Sequence, residues 1–138
     1  MIAYLDTSVV LRAMLRDGPA LPAWGRWQEA YASELLGVEV RRVIDRLRLS
    51  ETLDDQGVAD SVRALQAIER GIGRIALTRS VLRRASQPMG TVVRTLDAIH
   101  LASALMFQER KGVPIVFATH DAQQARGAVA LGLECIGF

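Results

Sequence analysis

The stretch Ile2-Ala3-Tyr4-Leu5-Asp6-Thr7-Ser8-Val9-Val10 decides the fold of this chain. Four residues suited to a β-strand run directly into an aspartate, and an apolar run with helical spacing follows the Thr-Ser pair. A strand without polar residues on either face is typical of the centre of a parallel sheet that helices cover. The hydroxyl of Thr7 or Ser8 is expected to cap the following helix. Asp6 is therefore expected at the carboxyl edge of a buried strand, where open α/β sheets place their ligand crevice.

The arrangement of the opening stretch returns twice. In Thr95-Leu96-Asp97-Ala98-Ile99-His100-Leu101, the threonine is predicted as the N-cap of a nearly buried helix, and the aspartate lies in its first turn. We interpret the histidine as a buried supporting residue rather than a metal ligand. In Pro114-Ile115-Val116-Phe117-Ala118-Thr119-His120-Asp121, an apolar strand again ends in a hydroxyl residue and an aspartate before a helix. Each aspartate alone can be a helix cap, but the repetition favours a shared site.

Glu39 is the polar anomaly of a helix predicted to run from Ser33-Glu34 to about Leu49. At 100° per residue it falls inside an apolar stripe. The stripe consists of Leu35, Leu36, Val40, Val43 and Leu47. A carboxylate that faces a core is costly unless it is paired, protonated or bound to a metal. Two explanations stay open: a salt bridge to Arg42 or Arg46, and membership of an acidic metal site.

Size and composition indicate one domain over residues 1–138. Half of the residues are hydrophobic and 23% are charged, which excludes a disordered chain. Cys135 is the single cysteine and suits a reducing cytosol. Neither a secretory signal nor a membrane-spanning run is present, so we expect a cytoplasmic protein without a membrane partner. A net charge of +2 permits nucleic acid as a partner without requiring it.

Strands and helices alternate along the chain, which predicts an α/β fold with a central parallel sheet flanked by helices on both faces. The five expected strands are Ile2–Leu5, 28–32, 74–77, 114–118 and 133–136. A loop rich in proline leads to Trp24 and Trp27, which share one face if that segment forms a short helix. These two tryptophans either pack in the core or line an exposed apolar groove.

Four carboxylates that converge on one crevice would repel each other unless a cation neutralises them. Oxygen ligands with no nearby cysteine favour a hard ion such as Mg²⁺, with Mn²⁺ as a substitute. Such an ion can deliver an attacking hydroxide and stabilise a phosphodiester oxygen. The hydroxyls of Thr7, Ser8 and Thr119 are candidates to hold a bound water or a phosphate oxygen. The residues themselves therefore predict a metal-dependent phosphoryl-transfer site.

Four blocks of the sequence resemble the signature blocks of PIN-domain ribonucleases. The blocks are Tyr4-Leu5-Asp6-Thr7-Ser8, Ser33-Glu34-Leu35-Leu36 with Glu39, Leu96-Asp97-Ala98-Ile99-His100-Leu101-Ala102 and Ala118-Thr119-His120-Asp121. Their spacing and the closing Ala130-Leu131-Gly132-Leu133 are most similar to the VapC-type toxins of bacterial toxin–antitoxin pairs. The resemblance covers essentially the whole chain, although the segment from Thr52 to Gly90 carries little of it.

The resemblance implies a toxic, Mg²⁺-dependent endoribonuclease. Asp6 and Asp97 would be the principal metal ligands, and Asp121 and Glu39 would complete the catalytic acidic cluster directly or through water. Water would attack the RNA phosphodiester and leave 5′-phosphate and 3′-hydroxyl ends. Members of the family commonly form homodimers and are inhibited by a cognate antitoxin. DNA would be a partner only indirectly, through that antitoxin. The alternative is a non-catalytic PIN-like module that only holds RNA or protein.

Overall fold

The computed structural model describes all 138 residues and contains five parallel strands in one sheet, with six helices around it. The strands are β1 (Ile2–Leu5), β2 (Glu29–Ser33), β3 (Gly73–Ile75), β4 (Val116–Ala118) and β5 (Glu134–Ile136). The helices are α1 (Thr7–Leu15), α2 (Leu35–Leu49), α3 (Asp55–Gly71), α4 (Arg79–Ala85), α5 (Thr95–Lys111) and α6 (Ala122–Ala130). The predicted α/β class and the five strands are confirmed. No helix has the length and apolar character needed to cross a membrane.

The strand order is β3-β2-β1-β4-β5, so the opening strand is the centre of the sheet. The chain builds outward from β1 through β2 to β3, then returns to the other side of β1 with β4 and β5. The point at which the strand order reverses lies between β1 and β4, whose Leu5 and Ala118 are paired in register. Ligands of open α/β sheets bind outside the carboxyl ends of the strands at such a point.

Alternate residues of β1 face two separate halves of the core. Leu5 belongs to the half formed with α1, α2 and α3, whereas Tyr4 belongs to the half formed with α4, α5 and α6. The Tyr4 ring stacks on Phe117 of β4, with ring centroids 5.2 Å apart. Both faces of β1 are therefore buried, as its run of apolar residues predicts. This packing fixes the position of Asp6, the residue that follows the strand.

Three local predictions were wrong. The N-cap of α1 is Asp6 rather than Thr7 or Ser8, because the Asp6 carboxylate accepts from the backbone N–H of Ser8. Helix α5 includes Thr95 and has Arg94 as its N-cap residue, with no capping by a side chain. The segment that carries the tryptophans forms turns instead of a short helix.

Trp24 and Trp27 contact each other edge to face, with centroids 5.2 Å apart, and both pack half-buried against the α1–α3 half of the core. Gly25 between them has φ +77°, a conformation that favours glycine and interrupts a helix. A turn thus brings together two rings that the sequence places three residues apart.

Candidate active site

Asp6 lies at the carboxyl end of β1 and is almost fully buried, with 4% of its surface exposed. Its backbone N–H donates to the carbonyl of Ala118, so the residue continues the pairing of β1 with β4. Its Oδ2 accepts from the Ser8 hydroxyl at 2.6 Å and from the Thr119 hydroxyl at 3.0 Å. A buried carboxylate needs such hydrogen-bond donors. The hydroxyls of Ser8 and Thr119, which the sequence suggested as groups to hold a bound water or a phosphate oxygen, donate to Asp6 in this structure.

Gln124 of α6 completes the surroundings of Asp6 and was not predicted from the sequence. It is 1% exposed. The amide orientation that satisfies its neighbours places Nε2 at 3.0 and 3.1 Å from the two carboxylate oxygens of Asp6. Its position three residues after Asp121, in the first turn of a helix that starts at the site, is the signal that would have indicated it. Asp6 thus accepts from three side chains and one backbone amide.

Glu39 belongs to a largely buried chain of hydrogen bonds that joins four elements, α2, α5, α1 and β1. His100 Nε2 lies 2.5 Å from Glu39 Oε1, and the Thr7 hydroxyl donates to the same oxygen at 2.7 Å. On the other side of the ring, His100 Nδ1 lies 2.8 Å from the Tyr4 hydroxyl. Because a carboxylate only accepts, Nε2 carries the hydrogen. The interpretation of His100 as a buried supporting residue is therefore confirmed.

The salt bridge between Glu39 and Arg42 or Arg46 does not form, and this explanation of the buried carboxylate is wrong. Arg42 instead contacts Asp45 at 3.3 Å, and Arg46 takes part in no ion pair. Helical geometry places side chains three or seven residues apart on the same side of a helix, which made both arginines reasonable candidates. The true partner, His100, comes from α5, sixty-one positions along the chain.

The ionisation of Glu39 and His100 is coupled. Burial raises the pKa of Glu39, but the hydrogen bond and positive charge of His100 and the Thr7 hydroxyl outweigh it, so the pKa is lowered. Burial lowers the pKa of His100, but the hydrogen bond to Glu39 and the charges of Asp6 and Glu39 outweigh it, so the pKa is raised. Both shifts favour an imidazolium paired with a carboxylate.

Asp97 and Asp121 are joined by Arg94. The Arg94 Nε donates to Asp97 Oδ2 at 3.1 Å, and its Nη2 donates to Asp121 Oδ2 at 3.0 Å. Asp121 is also the N-cap of α6, where its Oδ1 accepts from the backbone N–H groups of Gln123 and Gln124. Capping and ion pairing therefore occur in one residue, through different oxygens.

The negative charges of the other acids of the site affect the pKa of Asp97. Burial raises its pKa first of all, the hydrogen bond and charge of Arg94 lower it, and the charges of Asp121 and Asp6 raise it again, with a net increase. The acids are thus close enough to repel one another, as the sequence suggested. Nothing in the sequence distinguishes Arg94 from the other arginines as the residue that lies between Asp97 and Asp121.

The oxygen donors fit a hard divalent cation by type, since carboxylates and hydroxyls are the ligands that Mg²⁺ prefers. Their positions do not yet surround one point: no three acidic, histidine or cysteine side chains are placed to hold a metal ion together. Arg94 between Asp97 and Asp121, and His100 at 3.8 Å from Asp6 Oδ1, neutralise the acids instead. Because Arg94 and His100 both lie beside these acids, the electrostatics of the site favour a positive charge there.

Two open clefts lie beside the acids. The first, of about 440 Å³, is bordered by Asp6, Ser8 and Glu39. Its remaining wall is largely apolar and includes Leu11, Leu35, Val38, Val43 and Leu96, with Arg42 and Arg46 at the side. The second, of about 540 Å³, lies between α4 and the start of α5, and Arg94 forms part of its wall. Arg94 thus stands between the acids and the second cleft.

Comparison with known proteins gives the relationships of this fold. The family model described as PIN domain matches residues 3–129. Among solved structures, VapBC2 from Rickettsia felis, bound to a DNA fragment from their promoter, aligns with a TM-score of 0.65, 11% identity and coverage of 99% of this chain and 98% of that chain. FitAcB from Neisseria gonorrhoeae aligns with a TM-score of 0.64, 18% identity and coverage of 99% and 96%. No curated protein has a significant match to the sequence.

Proposed function

This chain belongs to the PIN domain family, and on that premise we propose that it is a metal-dependent endoribonuclease acting as the toxin of a toxin–antitoxin pair. The observation that carries the proposal is the meeting of four acids at one sheet edge. Asp6 follows β1, Glu39 lies on α2, Asp97 is in the first turn of α5, and Asp121 caps α6. Four elements far apart in sequence contribute one carboxylate each to the point where the strand order reverses.

In this proposal Asp6 and Asp97 hold Mg²⁺, and Asp121 and Glu39 complete the acidic cluster. A bound Mg²⁺ supplies an activated water nucleophile and stabilises negative charge on a phosphodiester. Mn²⁺, with the same preference for oxygen ligands, would substitute for it.

The other residues of the site hold the acids in place. The hydroxyls of Ser8 and Thr119 orient the Asp6 carboxylate, and Thr7 orients Glu39. His100 fixes Glu39 from the core side, where water does not reach. Groups held by packing and hydrogen bonds need no rearrangement when a substrate phosphate arrives, and this preorganisation is a main source of catalytic power.

An antitoxin partner is supported by the structural neighbours. VapBC2 and FitAcB each combine a PIN-fold protein with its antitoxin, VapB or FitA. The apolar wall of the cleft beside Asp6 and Glu39 would suit a partner segment, since exposed apolar grooves are common protein-binding surfaces. We further propose that the toxin is a cytoplasmic homodimer. We also propose that it contacts DNA only through its antitoxin, by analogy with VapBC2, whose structure is bound to a DNA fragment from their promoter.

A non-catalytic PIN-like module that binds RNA or protein is the second candidate. The ion pairs of Arg94 and His100 favour it, because they neutralise the acids without a metal. Against it stands the presence of all four acids, since a module that only binds has no need to keep them.

The experiment that separates the two is incubation of the purified, antitoxin-free protein with total RNA. Cleavage that requires Mg²⁺, stops with chelator, and yields 5′-phosphate and 3′-hydroxyl ends is expected from the nuclease. RNA that is retained by the protein but stays intact with Mg²⁺ and with Mn²⁺ would support the binding module.

A further inference from the structure

Arg94 has an unusual position for an arginine. It is the N-cap residue of α5, and its side chain is 71% exposed, yet its guanidinium contacts two of the four acids. Helix N-termini attract negative groups, so a cation gains nothing from the helix at this place. The two carboxylates are the only charged groups that it contacts. Their repulsion explains why a positive group lies there.

The two hydrogen bonds of Arg94 occupy one carboxylate oxygen on each of the two aspartates. On Asp121, Oδ1 is occupied by two backbone N–H groups of α6, which leaves Oδ2 as the oxygen that faces the site, and Arg94 holds it at 3.0 Å. On Asp97, Arg94 also holds Oδ2. A metal ion that bound the Oδ2 atoms of both aspartates would therefore compete with the guanidinium for them.

A displaced Arg94 has space and chemistry for another ligand. Its side chain forms part of the wall of the 540 Å³ cleft between α4 and α5, so it can turn away from the acids without crossing packed core. A guanidinium presents parallel N–H groups whose geometry matches two oxygens of a phosphate. Once a divalent cation neutralised the carboxylates, a phosphate would be the strongest nearby partner for this charge.

We propose that Arg94 is a phosphate-binding residue of the nuclease site, held by Asp97 and Asp121 until a divalent cation displaces it and frees it for the RNA backbone. The inference rests on the proposed function for the cation and the RNA. It predicts effects of opposite sign for one substitution: loss of Arg94 strengthens cation binding and weakens RNA binding. A residue that only stabilised the fold would not produce this pair of effects.

The first measurement is Mn²⁺ affinity, by titration calorimetry on the full chain, for wild type, Arg94→Ala, Arg94→Lys and the control Arg63→Ala. Arg63 is an exposed arginine paired with Asp60 on α3, so its loss gives the same change in net charge away from the acids. Arg94→Ala is expected to bind Mn²⁺ about two- to thirtyfold more tightly, as the loss of two exposed ion pairs predicts. The Mn²⁺ affinity of Arg94→Lys should lie between those of wild type and Arg94→Ala, since one ammonium group replaces the two N–H donors of the guanidinium. The Mn²⁺ affinity of Arg63→Ala should match that of wild type.

The second measurement is the affinity for a mixed-sequence single-stranded RNA with Ca²⁺ in place of Mg²⁺, followed by fluorescence anisotropy over a range of salt. Arg94→Ala should bind more weakly, and its plot of log affinity against log salt should be shallower by roughly 0.7, the contribution of one phosphate contact. Arg63→Ala should keep the wild-type slope.

The inference is overturned if Arg94→Ala binds Mn²⁺ no more tightly than wild type, or if its salt slope is unchanged. Weaker Mn²⁺ binding by Arg94→Ala would assign Arg94 to holding the aspartates in place and would also reject the proposal. If the wild-type protein binds no Mn²⁺, the metal site of the proposed function is itself wrong and the inference fails with it. If the wild type binds Mn²⁺ and Arg94→Ala behaves identically, only the inference fails.

Discussion

Replacement of Glu39 by glutamine tests the buried pair that joins α2 to α5. The variant keeps the shape of the side chain but removes the charge that faces His100, whose surface is 1% exposed. Removal of one partner from a fully buried ion pair costs about 3–5 kcal/mol. Glu39 is 21% exposed, and His100 can lose its proton and still donate to the amide oxygen. We therefore expect a loss of roughly 1–3 kcal/mol in the free energy of unfolding near pH 6.

The loss should depend on pH in a defined direction. Burial alone lowers the pKa of His100, but Glu39 and Asp6 outweigh it and raise the pKa in the folded protein. A raised folded pKa gives a stabilising contribution that is fully present below the unfolded value of about 6.5 and is lost as the pH rises through the folded value. The stability gap between wild type and Glu39→Gln should therefore narrow from about pH 6 to about pH 9.

Urea unfolding of both proteins with EDTA at the two pH values measures the gap. Glu69→Gln is the matched control, because Glu69 pairs with Arg41 at 3.0 Å and arginine does not titrate in this range. The difference in the free energy of unfolding between wild type and Glu69→Gln should be the same at both pH values. The account of the pair is refuted if Glu39→Gln shows no loss near pH 6, or a loss that does not change with pH.

Three further predictions concern other parts of the chain. Burial raises the pKa of the Cys135 thiol to about 11, so alkylation of the folded protein at about pH 8 should be roughly a hundredfold slower than that of the urea-unfolded chain; equal rates would contradict this. Reversal of the charges of Arg79 and Arg83, both exposed on α4, should flatten the salt dependence of RNA binding if they contact phosphates, and an unchanged slope would leave them as plain surface. If the antitoxin covers Trp24 or Trp27, its titration should shift their fluorescence maximum and reduce quenching by acrylamide; no change on complex formation would leave both as packing residues.

The positions of the aspartates followed from the sequence because strand ends leave strong local signals. Both the end of β1 and the end of β4 show a short apolar run followed by an aspartate with a neighbouring hydroxyl residue, at the start of a helix. Parallel strands bring such ends to the same edge of a sheet. These signals at the strand ends predicted the positions of Asp6 and Asp121 without knowledge of any contact. The alternation of strands and helices along the chain predicted the class of the fold.

The partners of these acids could not be predicted in the same way, because they depend on contacts between distant residues. His100 reaches Glu39 across sixty-one positions, and Arg94 reaches Asp121 across twenty-seven. Positions along the helix instead favoured Arg42 or Arg46 as the partner of Glu39, but the fold places His100 of α5 beside it.

We propose that the acids at the edge of the sheet cleave RNA with a divalent cation. The most direct measurement is the rate of RNA cleavage by wild type and by Asp97→Asn, each with Mg²⁺ and with EDTA, at equal folded concentration. Because burial raises the pKa of Asp97, the fold disfavours its charge, and the neutral variant should unfold at no lower temperature than wild type in EDTA. We expect Mg²⁺-dependent cleavage by wild type and none by a fully folded Asp97→Asn. Cleavage by Asp97→Asn at the wild-type rate, or equal cleavage by wild type with EDTA, would contradict it.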